Sequence, residues 1–141
     1  MSYQWHHDIP VWNEDKQRIL GSVPAGVLDS RYSDMKDGAQ VPCQWFRVED
    51  EGKTIGYGWI DVVWGDAEIL LATAEDAKRA GVGAFILEHL DSEARRMGLN
   101  YIYNVVRPTH PQAEAVTAWL TKNGFESKVD GRLTRRVGHA A

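Results

Sequence analysis

Residues 78–84 read Lys78-Arg79-Ala80-Gly81-Val82-Gly83-Ala84, a basic stretch with two glycines two positions apart. An apolar, strand-like run, Ala67 to Thr73, precedes it, and a helix-periodic run from Ala84 to Met97 follows. A basic, glycine-containing loop that opens a helix offers free backbone N–H groups and the positive end of the helix dipole. Such a loop suits an anion, best a phosphate or pyrophosphate. Gly81 and Gly83 let the backbone come close to that anion, because no Cβ stands in the way. The spacing is neither the Gly-Lys-Ser/Thr of a P-loop nor G-x-G-x-x-G, so Mg-nucleotide chemistry is not indicated.

The elements around the loop follow from punctuation and periodicity. Tyr3 to His7 reads as a first strand and Val11 to Leu20 as a helix with Asn13 as cap. Residues 21–42, rich in Gly, Pro, Asp and Ser, read as a short second helix with loops. Cys43–Val48, Ile55–Trp64 and Ala67–Thr73 read as three antiparallel strands, the last two joined by a tight Gly65-Asp66 turn. The helix after the loop buries Ile86, Leu87, Leu90, Ala94 and Met97 and solvates Glu88, Asp91, Glu93, Arg95 and Arg96, with Asp91 and Arg95 spaced to pair on its surface. Gly98 is the expected stop. Tyr101 to Val106 returns as a strand, a last helix runs from about Gln112 to Asn123, and Phe125 to Val137 makes two strands around Asp130-Gly131.

Taken together, these features resemble the GNAT N-acetyltransferase family. The loop is similar to that family's Q/R-x-x-G-x-G/A loop, with Lys78 at the basic position and Gly81 and Gly83 at the glycines. Glu68-Ile-Leu-Leu-Ala resembles the central strand, Tyr101 to Val106 the strand after the pyrophosphate helix, and Ala115 to Phe125 the last helix with its G-F exit. The likeness covers roughly residues 55–126 in order and spacing. It implies an α/β (α+β) fold over 1–141 as a single domain. The expected sheet is mixed, with about six to seven strands, helices on both faces and a V-shaped splay between the fourth and fifth strands.

The resemblance also implies a function. Acetyl-CoA is the expected acyl donor, its pyrophosphate held by Lys78, Arg79, Ala80, Gly81, Val82, Gly83 and Ala84. Its pantetheine arm lies along the backbone of Leu71, Ala72 and Thr73. A primary amine of a small molecule or peptide attacks the thioester directly, in a ternary complex. Glu68, a carboxylate in an otherwise apolar strand, is the expected base, and burial there raises a carboxyl toward neutral. The family's usual thiolate-protonating tyrosine is missing, with Leu120 in its place, and Ala113 stands where the family has a cofactor-holding asparagine. Tyr103, Thr121 and His110 are the candidate substitutes; none has a distinctive spacing, Tyr103 reads more readily as a core tyrosine, and water or the thiolate itself, a good leaving group, is the remaining alternative.

Composition limits the other options. At 141 residues with 43% hydrophobic and 26% charged content the chain is globular, and a net charge of −4 argues against nucleic acid as partner. That includes a transferase acting on charged tRNA. The single cysteine, Cys43, excludes an internal disulfide and a Cys-based zinc site, and lacks the setting of a nucleophile. Adjacent histidines on a strand point to opposite faces, so His6-His7-Asp8 reads as a surface arm, and the pair His89 and Glu93 has no evident third ligand, so no metal is expected. No apolar run reaches membrane length and the N-terminus is not a signal peptide, so a cytoplasmic protein is expected. A homodimer through terminal strands is a further expectation from the resemblance. Trp59, with Tyr57 and Asp61 on one strand face, is either an aromatic wall for an amine or core, and core is the commoner fate. Arg132, Arg135 and Arg136 read as a small basic cluster, mainly solvated, that would otherwise touch an acidic substrate or the 3′-phosphate. The alternative function is a non-catalytic acyl-CoA sensor with the same fold.

Overall fold

The computed structural model describes residues 3–23, 27, 32, 35–77 and 81–138. In chain order the elements are β1 (Tyr3–His7), α1 (Glu14–Leu20), β2 (Gln44–Asp50), β3 (Lys53–Val63), β4 (Asp66–Thr73), α2 (Val82–Arg96), β5 (Tyr101–Asn104), α3 (Ala113–Lys122), β6 (Glu126–Ser127) and β7 (Leu133–Arg136). They form one seven-stranded sheet in the order β1-β2-β3-β4-β5-β7-β6. Every neighbouring pair is antiparallel except β4 and β5, which run parallel. Helix α2 makes that crossover, as a parallel connection requires.

Period-2 alternation divides the sheet into two faces. Gly56, Gly58, Ile60, Ile69 and Ile102 face α2, whose Ile86, Leu87, Leu90 and Ala94 are buried as the periodicity predicts. The two glycines let α2 lie close. A Cβ on Gly58 would stand 2.7 Å from Ile86 Cγ2 and 3.1 Å from both Leu90 methyls. Ile86 is β-branched and stiff at that atom, so Gly58→Ala is expected to destabilise the fold by about 1–3 kcal/mol through overpacking, read from the urea midpoint at unchanged slope. The opposite face is aromatic. Trp45 stacks on Trp59 at 4.3 Å, and Trp12, Tyr32 and Tyr57 close around them beneath α1. Burial, aided by the carboxylate of Asp8, holds the Tyr57 phenol far above its usual range. Lys16 is fully buried against this cluster, bonded to Asp8 at 2.5 Å and to the Val11 carbonyl at 2.9 Å.

Several boundaries differ from expectation. Helix α1 is shorter than Val11–Leu20, because Asn13 caps it, its side chain accepting from Lys16 N at 2.9 Å. The β3–β4 turn is Trp64-Gly65, not Gly65-Asp66. Both residues have positive φ (51° and 83°), as a two-residue hairpin of the type I′ class demands, and Asp66 pairs with Val63. Strand β5 ends at Asn104, short of Val106. Asp91 is not solvated and does not pair with Arg95; it is buried against Arg135 at 2.8 Å. Much of the expected second helix within 21–42 lies outside the described residues. No helix among the described residues is long and apolar enough to cross a membrane.

Candidate active site

The parallel pairing of β4 with β5 joins Ala67 to Ile102 and Glu68 to Tyr103 and goes no further among the described residues. Strand β4 runs on to Thr73, still paired with β3 through Gly56. The two strands therefore part after Glu68. Asn104 Nδ2 donates to the Ile69 carbonyl at 2.8 Å, where the opening begins. The result is a V whose vertex holds Glu68 and Tyr103. One wall is the β4 backbone of Leu71, Ala72 and Thr73. From Glu68 to Thr73 a strand advances about 17 Å, at roughly 3.3 Å per residue.

At the open end, Gly81 caps α2 with φ at 79°, a left-handed conformation that favours glycine, and open space surrounds the place of a Cβ there. The Phe85 N–H bonds to the Gly81 carbonyl at 3.1 Å. The amides of Val82, Gly83 and Ala84 thus precede that first helical donor, at the positive end of the dipole. Trp119 of α3 packs near Gly83, 3.6 Å from where its Cβ would stand. Lys78, Arg79 and Ala80 lie outside the described residues.

Across the vertex, register places Asp61 of β3, Glu68 of β4, Tyr103 of β5 and Thr134 of β7 in one row on the aromatic face. Glu68 and Asp61 are half-buried; Tyr103 is 7% exposed. Burial first, and then the Glu68 carboxylate, push the Tyr103 phenol up, while Arg132 opposes them. Tyr103 consequently keeps its proton at neutral pH, as an acid must. The two other acid candidates are engaged elsewhere. Thr121 Oγ1 donates to the Thr117 carbonyl at 2.8 Å, and His110 Nδ1 accepts from Gln112 N at 2.9 Å. Leu120, at the place of the family's tyrosine, is a core residue.

The sequence profile of the acetyltransferase (GNAT) domain matches residues 42–127, more than half of the chain. The chain belongs to the GNAT acetyltransferase family. Solved structures of the same fold align with nearly all of the chain. The ribosomal-protein-S18-alanine N-acetyltransferase of Escherichia coli superposes with a TM-score of 0.63 at 18% identity, over 99% of this chain and 97% of that one. A GNAT phosphinothricin acetyltransferase of Sinorhizobium meliloti, solved with acetyl-CoA, gives 0.65 at 18% identity, over 98% and 90%. The PaiA N-acetyltransferase of Thermoplasma acidophilum, solved with coenzyme A, gives 0.64 at 14% identity, over 95% and 97%. At these identities the likeness is one of fold. No curated protein matches the chain by sequence.

Within this GNAT frame the remaining candidates separate. Trp59 is core, stacked on Trp45, and not an open aromatic wall. The three arginines do not form one cluster: Arg135 is buried on the α2 side, Arg136 is exposed, and Arg132 lies over the Tyr103 ring, 4.9 Å from its centre. His89 Nδ1 lies 2.9 Å from the Phe85 carbonyl, and Glu93 accepts from Trp5 Nε1 at 3.0 Å, so each has another partner. Sequence reasoning did not pair Arg132 with Tyr103. Their separation of 29 positions carries no local signal, and only the β5–β7 register brings the segments together.

Proposed function

We propose that residues 1–141 act as one GNAT domain, a cytoplasmic N-acetyltransferase that moves an acetyl group from acetyl-CoA to a primary amine of a small molecule or peptide. The observation that carries this reading is the row Asp61-Glu68-Tyr103 at the vertex of the β4–β5 opening. The fit of acetyl-CoA rests on that opening, on the left-handed Gly81 cap and on the amides of Val82, Gly83 and Ala84. Lys78, Arg79 and Ala80 complete the proposed pyrophosphate loop, and the β4 backbone at Leu71, Ala72 and Thr73 lines the arm. Bound there, acetyl-CoA supplies a thioester carbonyl for direct attack by the amine.

The chain's own groups then handle the protons. Glu68 takes the proton that the amine nitrogen loses as it bonds to carbon. Tyr103 Oη gives its proton to the sulfur as the C–S bond breaks with its electron pair. Glu68, Tyr103's neighbour in register, then returns the first proton to the Tyr103 phenolate, and both groups are restored. Asp61 beside Glu68 favours a cationic acceptor over an anionic one. A homodimer through the terminal strands belongs to the same reading.

The first experiment is calorimetric titration of acetyl-CoA into wild type and into Gly83→Asp. That site is chosen because Gly81 needs its positive φ, whereas an aspartate at Gly83 in the first turn of α2 suits the helix dipole and its Cβ meets the Trp119 ring at an ordinary contact distance of 3.6 Å. Wild-type binding weakened at least about tenfold in the variant, a loss of 1.4 kcal/mol or more, supports the loop as the pyrophosphate site. Equal binding by both proteins removes it. The buried Leu120 at the family's tyrosine position favours a second reading, an acyl-CoA sensor. Binding without turnover across a panel of amines would select that one.

A further inference from the structure

Arg132 sits where neither the fold nor the loop chemistry requires an arginine. Its guanidinium carbon lies 4.9 Å from the Tyr103 ring centre, within cation–π range. Asp130 clamps it twice: Arg132 Nε donates to Asp130 Oδ2 at 2.8 Å, and Arg132 N donates to Asp130 Oδ1 at 3.1 Å. The turn that carries both is closed by Lys128 N donating to the Arg132 carbonyl at 2.8 Å and Gly131 N to the Lys128 carbonyl at 3.0 Å. Arg132 is 40% exposed in its side chain, yet the ring beneath is nearly covered. The charged groups that act on Tyr103 are Asp61 from β3, Glu68 from β4 and Arg132 from the segment before β7. Two of these three are carboxylates, so Arg132 is the single cation in the set.

We propose that Arg132, anchored by Asp130, is a positioning residue for acetyl transfer: it covers Tyr103 and stabilises the phenolate left after Tyr103 has given its proton to the departing sulfur. The inference rests on the proposed role of Tyr103 as acid. Its chemical reason is a mismatch. A free phenol has a pKa of about 10 and a thiol one of about 8.5, so the transfer is uphill before burial makes it worse. Burial and Glu68 both raise the phenol, and Arg132 is the group that lowers it. The Arg132 backbone N–H and guanidinium hold the Asp130 carboxyl below the usual carboxylate range, so the clamp stays ionised where the enzyme works. No bond forms or breaks at Arg132. It acts on the electron pair that stays on Tyr103 Oη between loss of one proton and return of the other.

The test uses the whole chain with 13C-labelled tyrosine, without ligand, and follows the Tyr103 Cζ resonance from neutral pH through about 10 and above. Arg132→Met keeps the cover over the ring and removes the charge, which Arg132→Ala would not do. Tyr103 is expected to titrate roughly half to one unit higher in Arg132→Met and close to wild type in Arg132→Lys. In steady state, kcat of Arg132→Met is expected to fall about tenfold with both KM values unchanged, and Arg132→Met is expected to cost nothing more in a Tyr103→Phe background. Asp130→Asn loosens the clamp and is expected to shift both readouts in the same direction by less. An unmoved Tyr103 resonance in Arg132→Met overturns the proposal. So does a kcat loss as large in the Tyr103→Phe background as in wild type. A Tyr103→Phe enzyme as fast as wild type, with the resonance still coupled to Arg132, removes the acid itself, and that result falls on the functional reading first.

Discussion

Glu68→Gln is expected to lower kcat for acetyl transfer by about 10²–10⁴-fold, the range for removal of a positioned general base. The substitution is nearly isosteric and leaves β4 paired with Asp61 on one side and Tyr103 on the other. The KM for acetyl-CoA is therefore expected to stay within about twofold, because the opening and the α2 amides are untouched. The pH–rate profile of the variant should lose the limb that belongs to the enzyme's base and keep that of the acceptor amine. Asp61→Asn is the matched control. If Asp61→Asn shows the large loss and Glu68→Gln does not, the base is the cross-strand neighbour. A loss confined to the acceptor KM would make Glu68 a binding carboxylate, and equal rates for variant and wild type would falsify its role.

Asp91→Ala is expected to be strongly destabilising. Asp91 Oδ2 accepts from Arg135 at 2.8 Å and Oδ1 accepts from Gly138 N at 2.9 Å. The two side chains are 9% and 3% exposed. Removing the carboxylate strands a buried guanidinium whose Nε already lacks a partner among the described residues. Loss of one member of a buried pair costs about 3–5 kcal/mol. Two contacts limit the damage without replacing the charge. Arg135 also donates to the Asn123 carbonyl at 2.9 Å, and Glu88, largely exposed, lies at 3.5 Å. Urea unfolding with a two-state fit measures the loss. The double variant Asp91→Leu, Arg135→Met is expected to recover most of it, because an apolar pair of similar volume needs no desolvation of charge. The consequence reaches the site, since Arg135 sits next to Thr134, which pairs with Tyr103.

Much of this was legible in the residues. The period of Ile86, Leu87, Leu90 and Ala94 fixes α2 and its buried face without reference to anything distant. Asn13 and Gly98 mark helix ends by local chemistry. The loop, the strands beside it and the last helix with its G-F exit point to the GNAT family through their order and spacing over residues 55–126. The largest departure from the reading falls where a partner lies far along the chain. Asp91 looks like a surface residue one turn from Arg95, but Arg135, 44 positions on, claims it. The Trp64-Gly65 turn was missed because tryptophan is a poor turn residue by propensity; the register of Val63 with Asp66 overrides it.

The sequence by itself determined most of the elements, the likeness to a family and the glycine-marked start of α2, on which the proposed pyrophosphate site rests. These depend on backbone geometry within one or two turns, which residue type controls directly. Only the tertiary structure decided what stands at the vertex. A parallel β4–β5 ladder that ends at Glu68 and an antiparallel β5–β7 ladder bring Asp61, Glu68, Tyr103 and Arg132 together from four separate segments. The physical reason is that strand register is set by burying whole faces. A slip of one residue would send Glu68 and Tyr103 to the α2 side and bring Ile69 and Ile102 out of the core.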